Sequence, residues 1–282
     1  MKEKIKIAFQ GEKGAYSHLV SLKIFPNIDA QACATFEEAF QLAKDKPEYR
    51  IVIPIENSLA GRVADIHYLI PKYKLQIHAE HFHRVSHNLL AIKGSTIKDI
   101  VNVRSHAQAI GQCSKMILEN KLTPIVSADT AGSAKFIAQK KDKKESAIAS
   151  DLAAKIYNLE IIKRNVEDES DNVTRFFIMG REVRQPELKD KKYITSCIFK
   201  LKSTPAALYK ALGGFATNGV NLCKLESFSV KNTFDQVNFY IDIEGHIEDS
   251  SLQKALEELG FHTEKLDVLG VYEADQFRFK NK

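Results

Sequence analysis

The chain has 282 residues, of which 44% are hydrophobic, and a formal net charge of +5 at pH 7. That is enough for two domains with ordinary cores, while the absence of any run of eighteen apolar residues or of an apolar leader argues against a spanning helix and against secretion. Lys140-Lys141-Asp142-Lys143-Lys144 is the only dense basic run and reads as a solvated loop, so no nucleic-acid partner is expected, and Cys33, Cys113, Cys197 and Cys223 lie too far apart for paired metal-ligand spacing, as reduced thiols of a cytoplasmic protein do.

Ile5, Ile7 and Phe9 alternate as a first strand, Gln10 to Gly14 breaks it, and a helical pattern starts at Tyr16. Thr35-Phe36-Glu37-Glu38 has the form of a capping box and opens a helix through Ala43, after which Ile51 to Ile55 reads as a buried strand. Strands are predicted near Leu75 to Ala79, Asn88 to Ile92, Val101 to Val103, Pro124 to Val126 and Ala147 to Ala149, with helices from Ala107 to Glu119 and Thr130 to Gln139. Strands alternating with helices imply an α/β domain with mainly parallel sheets, whose ligands bind beyond the strand C-terminal ends.

The stretch from Gly180 to Lys192 turns polar, carries Pro186 and reads as a linker. Beyond it come a strand from Tyr193 to Leu201, a helix from Thr204 to Thr217, strands from Asn221 to Val230 and Gln236 to Glu244, a helix from Ser250 to Leu259 and a strand from Glu264 to Tyr272. This βαββαβ order is ferredoxin-like. Thr204 suits an N-cap, Pro205 the first helical position and Asn218-Gly219 the stop, whereas Gly213-Gly214 inside the helix is a local weakness.

Four strand ends in the first domain carry small polar residues: Pro54-Ile55-Glu56-Asn57-Ser58, Ser105-His106-Ala107-Gln108, Ala128-Asp129-Thr130-Ala131 and Asn172-Val173-Thr174-Arg175-Phe176. Ser58, Ser105 and Thr130 taken singly are also ordinary helix N-caps, and Thr-Arg-Phe is ordinary strand material. Together they place hydroxyls, amides and one guanidinium where an α/β sheet presents ligands. A hydroxyl donates one proton and Arg grips a carboxylate with two parallel bonds, a pairing suited to an acidic substrate that must lose an oxygen. Strand alternation sends Thr174 and Phe176 to one face and Arg175 to the other unless a bulge or strand end intervenes. No glycine-rich nucleotide motif is present, so nucleotide cofactors have no visible cradle. His78, His81, His83 and His87 lie close in sequence, but their spacing makes a weak metal pattern and no metal site is expected.

These motifs, in this order, resemble those of the prephenate dehydratase family. Pro54 to Ser58, His87-Asn88-Leu89-Leu90, Ser105 to Gln108 and Asn172 to Phe176 are similar to that family's catalytic motifs, and Pro205-Ala206-Ala207-Leu208 and Leu225-Glu226-Ser227 to the motifs of its regulatory ACT domain. The resemblance covers essentially the whole chain. It implies a two-lobed, periplasmic-binding-protein-like catalytic domain over residues 1–180, a linker over 181–192 and a ferredoxin-like ACT domain over 193–282. It implies decarboxylation and dehydration of prephenate to phenylpyruvate without a cofactor, L-phenylalanine as effector, and a cytoplasmic homodimer or homotetramer. Thr174, Arg175 and Phe176 would then be catalytic; Asn57, Ser58, His87, Ser105, His106, Gln108, Thr130 and Asn172 would hold substrate; Ala206, Ala207, Leu208, Asn218, Asn221, Leu222, Glu226 and Ser227 would hold phenylalanine. Arogenate dehydratase is the neighbouring alternative, and a non-catalytic amino-acid sensor the alternative of another class. Three departures from the family pattern stand out. Ala107 replaces the proline of Ser-His-Pro-Gln, Ala206 the glycine of Pro-Gly-Ala-Leu, and Phe228 the arginine of Glu-Ser-Arg-Pro, so phenylalanine control is less firmly implied than catalysis.

Overall fold

The computed structural model describes residues 5–63, 66–229 and 237–279. The expected strand limits Val230 and Gln236, and Met1 to Lys4 before the first strand, lie outside the described residues. In chain order the first part comprises β1 (Lys6–Gln10), α1 (Tyr16–Ile24), β2 (Ala30–Cys33), α2 (Phe36–Asp45), β3 (Tyr49–Asn57), β4 (Gly61–Arg62), α3 (Ile66–Tyr73) and β5 (Gln76–Arg84). There follow β6 (Asn88–Ala91), β7 (Asn102–His106), α4 (Ala107–Gln112), α5 (Ser114–Glu119), β8 (Thr123–Ser127), α6 (Thr130–Lys140), β9 (Glu145–Ala149), α7 (Asp151–Ile156), β10 (Glu160–Lys163) and β11 (Val173–Gly180). The last part holds β12 (Tyr193–Leu201), α8 (Ala207–Thr217), β13 (Leu222–Ser229), β14 (Val237–Glu244), α9 (Ser250–His262), β15 (Thr263–Glu273) and a 3-10 turn, Gln276–Phe279. Among the described residues no helix is long and apolar enough to cross a membrane.

By contacts the chain divides into two compact units, one of residues 1–39, 51–62 and 82–176, the other of 40–50, 63–81 and 177–282. One sheet has the order β2-β1-β3-β11-β5, with β4 paired to β3, and a second has the order β10-β6-β9-β7-β8. The second sheet is mixed rather than mainly parallel: β7 runs parallel to β8 and β9, but β6 is antiparallel to β9 and β10. The connections explain this. Helices cross over between β7, β8 and β9, which keeps those strands parallel, whereas the stretch from Ile92 to Val101 has no helix and lets the chain turn back.

Local chemistry fixes the helix starts. Thr35 Oγ1 accepts from Glu38 N at 3.0 Å while the Glu38 carboxylate accepts from Ala34 N at 2.7 Å, so the expected cap of α2 forms. Asp129, not Thr130, caps α6 by accepting from Gly132 N at 2.6 Å, and Ser150 caps α7 by accepting from Ala153 N at 3.0 Å. The single helix expected from Ala107 to Glu119 is two short ones, broken at Cys113, whose φ of −120° is not helical and whose side chain is fully buried. Gly111, a poor helix former, precedes the break.

In the second unit β13-β14-β12-β15 forms one antiparallel sheet, which is the ferredoxin-like order expected of βαββαβ. One face, with Cys197, Phe199, Ile241 and Ile243, packs with Ala211 and Phe215 of α8 and Leu252, Ala255 and Leu259 of α9. Gly214 proves necessary rather than weak: a Cβ there would stand 2.7 Å from Glu258 Cβ, so its bareness lets α8 and α9 approach. On β12, β14 and β15, Ser196, Tyr240 and Tyr272 hydrogen-bond around the buried Asp242 and one another. Arg278 adds a two-pronged bond to the buried Glu80, at 2.6 and 2.8 Å.

The start of α8 corrects the expected cap. Thr204 only closes a turn, its carbonyl accepting from Ala207 N at 3.2 Å, and Ala206 occupies the N-cap at φ +60°, in the left-handed region. An L side chain there costs about 1 kcal/mol or more relative to glycine. Ala206→Gly is therefore expected to raise stability by about 1 kcal/mol in urea unfolding; an unchanged or lower midpoint would show that Ala206 does not hold this conformation.

Candidate functional site

The chemical centre grows from the ends of β3 and β11. Asn57 Oδ1 accepts from the backbone N–H of Leu59 at 3.1 Å and of Ala60 at 2.9 Å, a turn formed by its own side chain. Those two bonds settle which end of the amide points where. Asn57 Nδ2 then donates to Thr174 Oγ1 at 2.9 Å and to Asn172 Oδ1 at 2.6 Å. Asn172 Nδ2 donates in turn to Gln112 Oε1 at 2.8 Å, and that oxygen lies 3.0 Å from His87 Nε2. Ser58 pins the same junction: its N–H donates to the Val173 carbonyl, its hydroxyl to the Asp171 carbonyl, and it accepts from Val173 N at 2.9 Å.

Thr174 and Phe176 share one face of β11 and are buried, as is Asn172 just before the strand, with Thr174 at 9% exposure and Phe176 at 1%. Thr174 Oγ1 receives a hydrogen bond, and among the described residues no acceptor takes its own hydrogen. Arg175 points to the other face, where its guanidinium lies 5.8 Å from the Phe82 ring.

A second group stands where β7 and β8 end side by side, His106 paired in register with Ser127. His106 Nδ1 caps α4 by accepting from Gln108 N at 3.3 Å, Gln108 is exposed, and Thr130 is the first residue of α6. Ser105 is fully buried, and its hydroxyl donates to the Ile148 carbonyl at 2.7 Å, so its proton is already used. Helix α4 links the two groups, since it starts beside His106 and ends at Gln112. Sequence reasoning missed Gln112, although it lies one turn after Gln108 on the same helix face and that spacing was the available signal. It also missed Tyr16, whose hydroxyl sits 2.9 Å from His87 Nδ1.

Burial lowers the His87 pKa against the raising effects of the Gln112 bond and the Glu167 charge, so the ring is neutral near pH 7. Burial also raises the Tyr16 phenol, helped by Cys113, Glu167 and Asp151, so it keeps its proton. A groove of about 600 Å³ is walled by Tyr16, Ser86, Asn88 and Ser150, with Lys23, Arg84, Lys155 and Arg164 around it, but Thr174 and Asn57 do not line it. Of the other clustered histidines, His83 lines this groove, His78 donates to the Glu182 carbonyl at 2.7 Å with its pKa pushed down to about 4 by burial, and His81 lies 3.5 Å from Asp275.

The residues expected to hold phenylalanine lie on the ferredoxin-like sheet and α8. Ala206, Ala207 and Leu208 begin α8, Asn218 caps its end, Asn221 and Leu222 lead into β13, and Glu226 and Ser227 lie along β13. Asn218 Nδ2 donates to the Gly214 carbonyl at 2.8 Å and to Glu258 at 2.9 Å. Glu226 lies 3.1 Å from Lys224 and 3.6 Å from the buried His67, and the His67 ring also packs on Phe228 and Tyr240.

Comparison with known proteins gives the same frame. The family described as prephenate dehydratase matches residues 7–184. A bifunctional N-acyl-homoserine lactone acylase/prephenate dehydratase of Komagataeibacter europaeus is 43% identical over 274 residues, 97% of this chain and 98% of that protein. Arogenate dehydratase 2 of Petunia hybrida is 37% identical over 96% of this chain and 72% of its own length. A crystal structure of prephenate dehydratase from Arthrobacter aurescens in complex with L-Phe superposes with a TM-score of 0.87 at 26% identity, covering 96% of this chain and 90% of that one. The chain belongs to the prephenate dehydratase family, lyases of phenylalanine biosynthesis.

Proposed function

We propose that this chain converts prephenate to phenylpyruvate at Thr174. The ring carboxylate leaves as carbon dioxide, its electron pair enters the ring, and the ring hydroxyl departs with one proton as water. Aromatisation supplies the driving force. The Asn57-to-Thr174 bond carries this reading: with a lone pair of Oγ1 occupied by Asn57, the Thr174 hydrogen is free to bind the departing oxygen. A threonine hydroxyl is a poor acid, so it assists by a hydrogen bond that strengthens as charge develops on that oxygen, and the net proton comes from water. Ser58 and Asn172 shape the same spot, while His106, Gln108 and Thr130 hold the acidic side chain of the substrate and Phe176 backs Thr174. Arg175 acts across β11 by its charge and packing.

The catalytic domain spans residues 1–180, a linker 181–192, and an ACT domain 193–282 takes L-phenylalanine as effector. Ala206 to Leu208 and Asn218 to Leu222 stand at opposite ends of a helix of 11 residues, so roughly 16 Å separates them in one chain. A second copy gathers the two ends into one site, which makes a cytoplasmic homodimer, or a tetramer of such pairs, the regulated form.

Incubating the purified chain with prephenate and, separately, with arogenate tests the reaction. Phenylpyruvate from prephenate is expected. Phenylalanine from arogenate alone would make the chain an arogenate dehydratase, and no product from either would make it a sensor. Regulation is checked by activity across a phenylalanine dose series, with gel-filtration mass followed alongside; a flat response with unchanged mass would remove the effector role.

A further inference from the structure

We propose that His87 and Tyr16 are positioning residues that hold the amide chain leading to Thr174 in a single hydrogen-bond polarity. This rests on the reading that Thr174 donates to the departing oxygen.

The polarity can be followed atom by atom. It starts at the N–H groups of Leu59 and Ala60, which can only donate, and therefore turns Asn57 Nδ2 toward Asn172 Oδ1 and Thr174 Oγ1. Asn172 must then present Nδ2 to Gln112, and Gln112 must present Oε1 both to Asn172 and to His87. A carbonyl oxygen only accepts, so His87 carries its proton on Nε2. A neutral imidazole with Nε2–H has an accepting Nδ1, and Tyr16 Oη lies 2.9 Å from it. The phenol also lies 2.8 Å from the Ser86 carbonyl, a second acceptor for the same hydrogen.

The other tautomer breaks the chain. With the proton on Nδ1, Nε2 would accept and draw the NH2 of Gln112 toward itself. The flipped amide would then offer its NH2 where Asn172 offers its own, and two donors would face each other in a buried place. Asn172 could escape only by turning its amide against Asn57, which the backbone N–H groups hold fixed. Tyr16 holds the far side of the ring, its single hydrogen shared between the Ser86 carbonyl and an accepting Nδ1, while the amide chain sets the tautomer. His87 is 3% exposed, so water does not readily replace either bond. Neither residue touches substrate in this scheme; both act through Gln112.

The test uses the full chain and three variants, His87→Leu, His87→Gln and Tyr16→Phe, with kcat and KM for prephenate and the unfolding midpoint measured for each. His87→Leu is expected to lower kcat by about tenfold to a hundredfold with KM within about twofold. His87→Gln, which keeps a donor within reach of Gln112, should recover most of that loss, and Tyr16→Phe should lower kcat several-fold. Equal losses in the Leu and Gln variants that track a fall in midpoint, or full kcat in all three, would overturn the inference. An inactive parent chain would instead overturn the assignment of function. The tautomer has its own readout, free of activity: nitrogen-15 NMR of labelled histidines, with His87 identified by its loss in His87→Gln, should report Nε2–H, and an Nδ1–H signal would sink the proposal.

Discussion

Thr174→Val is expected to lower kcat by about 10²–10³ while KM for prephenate moves less than about threefold. Valine keeps the β-branched shape that β11 accepts and removes only the hydroxyl. Asn57 Nδ2 is not orphaned by the change, because Asn172 Oδ1 at 2.6 Å still receives it, so the fold and the substrate pocket should persist. What disappears is the donor aimed at the departing ring oxygen, an interaction that gains strength only as the carbon–oxygen bond breaks. Thr174→Ser, which restores the donor with one methyl fewer, should return much of the rate. Steady-state kinetics on the three proteins decide the matter: near-parent kcat in the valine variant would remove Thr174 from the chemistry.

The sequence was legible where one residue type has one physical use. The Thr35–Glu38 cap, the βαββαβ order and the strand bearing Thr174 all follow from periodicity and capping chemistry. Legibility failed where partners are distant in sequence. The one-turn spacing from Gln108 marks Gln112 as facing the same way, but not that it meets Asn172 and His87, because that meeting depends on residues distant in sequence converging. Ser105 shows the converse, since a hydroxyl at a strand end looks available as a donor until Ile148 is seen to accept its proton. Ala206 shows a third: Thr204-Pro205 has the composition of a helix start, yet the turn it forms delays the helix and leaves an alanine where glycine would be relaxed. Parallel and antiparallel pairing in the second sheet depended on whether a connection carried a helix, which local apolar patterns around Ile92 to Val101 do not report.

Asn57→Asp should be as damaging as the loss of the hydroxyl, for a different reason and with a distinct pH dependence. The introduced carboxylate still has an oxygen to accept from Leu59 and Ala60, so the turn after β3 survives. Its other oxygen, however, replaces an NH2 that donated to Asn172 Oδ1 and Thr174 Oγ1. Asn172 loses its donor, and the Thr174 hydroxyl turns its hydrogen inward onto the new acceptor, away from the substrate. A loss of about 10²–10³ in kcat is expected, with about 1–3 kcal/mol of stability from the unsatisfied Asn172 oxygen. Protonating the introduced carboxyl restores a donor at that position. Facing acceptors, the group has its pKa raised above the usual carboxylate range, and only its neutral form, populated below that pKa, supports Thr174. Activity of Asn57→Asp relative to the parent should therefore climb as pH falls through the raised pKa. A ratio of the two kcat values that stays flat with pH, or a variant as fast as the parent at neutral pH, would show that the direction of the Asn57–Thr174 bond does not govern turnover.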